Sequence, residues 1–362
     1  MKTSPRENLL SLYRRQGYEY APVHLSLSPS QVERFTKETG LPGDRVDEYF
    51  GYPMRHLGGP NFAKYESVAF RTYYPADLQP GAHITPWGIA LEKGSAAAMH
   101  MHRIRHPLGG DDVTMDTLLA YPWPTLVPND SLAARVQMLK ERGLASAGEA
   151  SATVWERAWQ IRTMEALMAD MMDDDEKAAF ILDKITDVSC IAAAAFAHAG
   201  IDILILGDDV GMQNSIMMSE ALYRQWLKPR LIKVIKTAKE IKPDILIHYH
   251  SCGYIVPFIP DLMEAGIDIL NPVQPECMSF ADIHAQYGAA LSFNGTLGTQ
   301  TTMPFGTPDD VRQVVTENLR IAGDKGGLLV CPTHVVEPEV PWENIMAYVQ
   351  ACGAFTLPRH SA

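Results

Sequence analysis

His250 and Cys252 stand two positions apart, just after a short apolar run at 244–247. Side chains two residues apart on an extended backbone point the same way, so an imidazole and a thiol leave this strand end together. Cys331 closes another apolar run, at 327–330. One histidine and two thiolates are a favourable set for Zn²⁺, and three protein ligands leave a fourth position open for water or substrate. The bland alternative is that both cysteines are small buried hydrophobes. If the ion is present, two thiolates neutralise it. It is then a poor Lewis acid for hydrolysis but a good place to hold a further thiol as thiolate, so alkyl transfer to sulfur fits better than hydrolysis.

Groups so far apart in sequence need a scaffold that gathers strand ends. The 362 residues are 46% hydrophobic and 20% charged, an ordinary globular balance. Up to about residue 150, turn formers punctuate short strand-like runs such as 67–74. From 151 the pattern becomes regular. Helices are expected over 154–172, 174–199, 219–239, 256–265 and 342–352, and short apolar strands at 201–206, 244–247, 267–270, 289–293 and 327–330. Such alternation implies parallel strands buried on both faces. Asp208, His250, Cys252, Gln274, Asn294, Cys331 and His334 all fall just after strands. In a (β/α)8 TIM barrel those ends share one rim, whereas an open doubly wound sheet would scatter them, and no GxGxxG follows any strand. The expectation is one α/β domain over 1–362, a TIM barrel with an irregular N-terminal extension whose loops (1–150) cover the mouth and whose regular units fill 151–352.

The runs GDDVGMQNSIMMSEALYRQWLKPRLIKVIKTAKE (207–240), HSCGYIVPFIPDLMEAGIDILNPVQ (250–274) and GGLLVCPTHVVEPEVPWENI (326–345) resemble the uroporphyrinogen decarboxylase superfamily, and within it the cobalamin-dependent methyltransferases related to methylcobamide:coenzyme M methyltransferases. The resemblance covers about 151–351 and implies a (β/α)8 barrel. It also implies a zinc held by His250, Cys252 and Cys331, and a methyl group exchanged with the cobalt of a corrinoid (cobalamin) on a separate protein. This chain carries no DxHxxG corrinoid motif. An acidic residue can approach the metal near the following strand in these methyltransferases. Here that neighbourhood offers Gln274, a poorer ligand than a carboxylate. The resemblance places Asp208 and His334 in the catalytic pocket. His248 shares a strand face with His250 and is expected to line the substrate site, together with Gln274, Asn294 and Met212. The decarboxylase branch carries an arginine-rich N-terminal element, but residues 21–26 read APVHLS.

His100, His102 and His106 are expected in a locally basic loop with Arg103 and Arg105, near the pocket mouth, that meets an anionic group. Met212, Met217 and Met218 could line a cavity for a large corrinoid or form a plain lid. Tyr223 and Trp226 read as packing residues, and Cys190, Cys277 and Cys352 as inert. With 43 acidic against 31 basic side chains, a formal charge of −12 and no basic cluster, nucleic acid is excluded as a partner. The apolar stretch 190–206 is interrupted by His198, Gly200 and Asp202, so no membrane span is expected. Few cysteines, odd in number, and no apolar stretch near the N-terminus point to the cytoplasm. The leading expectation is a zinc-dependent methyltransferase acting on a small methylated or thiol substrate, with a corrinoid protein as partner. The alternatives are a cofactor-free uroporphyrinogen-type decarboxylase, which would need cationic pocket residues, and a corrinoid- or tetrapyrrole-binding barrel without turnover.

Overall fold

The computed structural model describes residues 3–74, 76–94 and 102–355. Seven parallel strands pair in strict chain order: Met54–Leu57, Ala145–Glu149, Ile203–Gly207, Leu246–His250, Ile269–Asn271, Ser292–Asn294 and Leu328–Leu329. Strands that never reverse their order curl about one axis, and their C-terminal ends collect on one rim. The central strands are buried throughout because helices cover the outer face, as at Ile203–Gly207.

The sheet is a half-barrel and not the closed eight-stranded barrel expected. Among the described residues no ladder joins Leu328–Leu329 to Met54–Leu57. The segment 21–28 stands in the gap. It meets the C-terminal side through a single parallel bridge, Leu27 to Val336, with the Val336 amide donating to Ser26 O at 2.7 Å. On the other side the His24 ring packs against Tyr52 and His56. Pro22 has no N–H to give a ladder, which favours an irregular segment over an eighth strand here.

Three further elements differ from expectation. Residues 154–172 form two helices, Trp155–Arg162 and Met164–Met172, because Thr163 at φ 83° breaks the first and its hydroxyl caps the second through the Ala166 amide at 3.1 Å. The helix expected over 219–239 divides into Glu220–Trp226 and Lys228–Ile241, with Pro229 in the first turn of the second, where a missing N–H costs nothing. The strand-like run 67–74 is a 3₁₀ helix, Ser67–Tyr73, in which Phe70 alone is buried, so one anchor and not an alternating face decides its shape.

Strands are pressed together where the site forms. Gly207 lies opposite His250, and a Cβ there would sit 2.5 Å from the His250 carbonyl oxygen and 2.9 Å from its nitrogen. Gly207→Ala is therefore expected to destabilise the fold by about 1–3 kcal/mol through overpacking. Urea unfolding at neutral pH checks this, and a variant as stable as the parent would refute it.

Candidate active site

The rim carries a polar chain running across four elements. Tyr13 OH accepts from Asn294 Nδ2 at 2.9 Å, and Asn271 Nδ2 donates to Asn294 O at 2.9 Å and Oδ1 at 3.2 Å. Asn271 Oδ1 in turn faces His250 Nδ1 at 2.6 Å. Because the Asn271 amide nitrogen is committed to Asn294, its oxygen must be the acceptor and His250 Nδ1 carries the proton. The Nε2 lone pair is thereby left for other business.

That Nε2 lies 3.4 Å from Cys252 Sγ and 3.6 Å from Asp209 Oδ1. One donor atom from each of Asp209, His250 and Cys252 falls within 4.8 Å of the others, a separation that one cation can span. A neutral imidazole whose other nitrogen is hydrogen-bonded, a thiol and a carboxylate fit Zn²⁺ as a donor set. Burial and the nearby Asp209 charge push the Cys252 thiol far up. Glu156, close by, is raised to about 8 by burial and by Asp208 and Asp209.

Cys331 stands apart from this cluster. Its Sγ donates to Asn294 Oδ1 at 2.9 Å, and burial with the neighbouring Cys352 pushes it up to about 12. It nevertheless lines the same cavity of about 340 Å³ as His250, together with His248, Asn294 and His334. Cys252 opens into an adjoining cavity of about 320 Å³ with Gln274, and His334 borders both. The His334 ring centroid is 6.5 Å from that of His250.

The remaining expected residues have definite places. Asp208 is buried, and its carboxylate accepts the amides of Val154 and Glu156 at 2.8–3.1 Å at the start of helix Trp155–Arg162. Burial raises it to about 7 against those amides, which pull it down. Gln274 Oε1 accepts the Gly253 amide at 3.0 Å and so shapes the turn after Cys252. Gly253 (φ +85°) has room only for hydrogen there, since a Cβ would lie 2.7 Å from Met212 O. Met212 is 50% exposed on the loop that packs against this turn. Tyr223 and Trp226 are packed in the core, as expected, and Met218 is buried too. All five cysteines are free.

The basic loop expected around His100–His106 is different. His100 lies outside the described residues. His102–Arg105 is a strand of an antiparallel sheet, and Arg105 pairs with Glu92 at 3.0 Å while the more exposed Arg103 lies 4.0 Å from the same carboxylate, so one of the two charges is already answered. His106 Nδ1 faces Gln160 O at 3.0 Å.

Sequence reasoning missed Asp209, Asn271, His24, His56 and Glu149. The Asp208-Asp209 pair was visible, but which carboxylate faces the metal donors depends on a turn whose shape the sequence does not carry. Asn271 was hidden in an ordinary strand end, and the N-terminal histidines had no readable topology.

The uroporphyrinogen decarboxylase (URO-D) family profile matches residues 136–355, and the chain belongs to that family. Within it, the likeness runs to methyltransferases. The chain is 31% identical over 197 residues to the methylated-thiol–coenzyme M methyltransferase of Methanosarcina mazei; the match covers 52% of this chain and 47% of that protein, so the chain spans about half the length of the curated relative. The solved structure of a methyltransferase from Methanosarcina mazei superposes with a TM-score of 0.66 at 18% identity, over 97% of this chain and 99% of the other, which shows the shared fold. No helix among the described residues is long and apolar enough to cross a membrane.

His24 is held down to about 3 by burial and by the charges of His56 and Arg55. An unfolded histidine titrates near 6.5, so between about pH 3 and 6.5 the unfolded chain binds a proton the native state lacks. Stability then rises with pH across that window and is lost as pH falls through it. His24→Gln is expected to flatten this dependence by about 1 kcal/mol per pH unit. Urea unfolding at pH 5 and 7 reads it, and parallel curves for the two proteins would count against the assignment.

Proposed function

We propose that this chain is a zinc-dependent methyltransferase that exchanges a methyl group between a small methylated or thiol substrate and the cobalt of a corrinoid carried by a partner protein. The observation that carries the reading is the convergence of His250 Nε2, Cys252 Sγ and Asp209 Oδ1 within 4.8 Å, on a rim that Cys331 shares. The likeness to a methylated-thiol methyltransferase supports the reaction class. The zinc would be held by His250, Cys252 and Asp209, and Cys331 would join them only with its thiol turned from Asn294. When bound, the ion would hold a substrate thiol as thiolate or polarise the heteroatom that bears the methyl group.

The chain's own residues prepare for this. Asn271 fixes the His250 tautomer, and Asp209, accepting the Cys252 amide at 2.7 Å, sets the turn that presents the thiol. The two adjoining cavities, of about 340 and 320 Å³, are each of a size for a small molecule, and His334 lines both. Met212 and the 79% exposed Phe305 offer apolar surface near the Cys252 cavity, and Gln213 and Gln300 tie their two loops together at 3.1 Å. Such a mouth suits a large planar corrinoid brought by another protein. The decarboxylase alternative is disfavoured, since no lysine or arginine is among the described residues lining the His250 cavity.

Protein purified without chelator is expected to hold about one zinc per chain, and Cys252→Ser to lose most of it, by elemental analysis. The folded, metal-free parent would overturn the reading. Asn271→Ala is expected to weaken zinc about 10–100-fold by removing the His250 acceptor. Competition with a chromogenic chelator measures this, and unchanged affinity would remove Asn271 from the account.

A further inference from the structure

The 340 Å³ cavity that His250 lines also carries a second polar group made of His24, His56, His248 and Glu149. His56 Nδ1 lies 3.5 Å from Glu149 Oε2, and the His24 and His56 rings stack with centroids 5.7 Å apart. Ser151 donates to the other Glu149 oxygen atom, Oε1. His248 is only 7% exposed, yet its Nδ1 has no hydrogen-bond partner among the described residues. A buried ring nitrogen without a partner costs free energy unless something occupies the space it faces.

The cluster is a poor metal site, because its donor atoms do not gather within a cation's reach as those of Asp209, His250 and Cys252 do. It is also a poor anion site. Arg55, the nearest cation on this side, turns away to Tyr52 O, Met54 O and Asp47, while Glu149 faces the cavity. A sulfonate, carboxylate or phosphate placed here would meet a carboxylate and no fixed positive charge. A hydroxyl group suits it, since it can donate to Glu149 and accept from an imidazole N–H.

We infer that His24, His56, His248 and Glu149 form a recognition subsite for an uncharged, hydroxyl-bearing end of the substrate, so that this chain acts on hydroxylated small molecules in preference to anionic ones. The inference deepens the proposed function and rests on it for which end of the molecule reacts at the metal. His250 and the cluster line one cavity, so a molecule held at the metal donors can meet both, and about 340 Å³ admits one aromatic ring with its substituents.

Three ring thiols of nearly one shape test the inference: 4-mercaptophenol, 4-methylbenzenethiol and 4-mercaptobenzoate, titrated calorimetrically into the full chain with zinc added and after chelation. The phenol is expected to bind at least about tenfold more tightly than the methyl analogue, and the benzoate weakest, because one satisfied hydrogen-bond pair against an unsatisfied one is worth that much. His56→Phe and Glu149→Gln, each checked for a normal melting transition, are expected to erase the phenol's advantage. Should one of them fail to fold, the other still decides. The inference is overturned if the benzoate binds best, if the advantage of the phenol survives in the folded variants, or if none of the three binds either form. The same order of affinities after chelation sustains the subsite by itself, while binding that is indifferent to zinc counts against the metal reading alone.

Discussion

Everything at the rim depends on one hydrogen bond, from His250 Nδ1 to Asn271 Oδ1. It works because the Asn271 amide is held from behind by Asn294, and Asn294 by Tyr13 of the N-terminal helix Pro5–Tyr13. Buried amides must be satisfied, and in this chain each satisfies the next, so the orientation of one side chain is fixed by residues far away in sequence. The outcome is an imidazole that turns its free lone pair toward Cys252 and Asp209. Cys331 hangs from the same chain through Asn294, which ties the distant cysteine to the network that orients the histidine.

The open side of the sheet has an equally direct consequence. With no ladder between the first and last strands, the segment 21–28 enters the gap and delivers His24 to the cavity. The cavity is consequently lined from both ends of the sheet and from the inserted segment. His24 from the inserted segment, His56 and Glu149 from the first two strands, His248 and His250 from a central strand and Cys331 after the last strand all line it. A closed barrel would have filled that position with a strand whose alternation sends every second side chain outward. The irregular segment is free of that rule.

Asp208 and Asp209 show how finely the turn after a strand divides labour. Both follow Gly207, but the first is consumed by the amides that open helix Trp155–Arg162 and the second holds the Cys252 amide beside His250. Gly207 permits the close approach of the neighbouring strand that makes this division possible.

The sequence by itself determined the last five of the seven parallel strands, the gathering of polar residues after them, the HxC pair and the family, because apolar periodicity and local motifs are properties of contiguous residues, while the first two strands lay in an N-terminal part with no such pattern. It also carried the likeness of residues 250–274 and 326–345 to the methyltransferases. The helix breaks at Thr163 and before Pro229 were not read from the sequence: a threonine at positive φ does not announce itself, and a proline in a first helical turn is compatible with a continuing helix. Only the tertiary structure decided that the barrel stays open, that Asp209 and not Asp208 faces the metal donors, that Cys331 binds Asn294, and that His24, His56 and Glu149 share a wall with His248. Each of these depends on which backbone comes within about 3 Å of which side chain across long loops, a matter of packing and hydrogen-bond satisfaction over the whole chain.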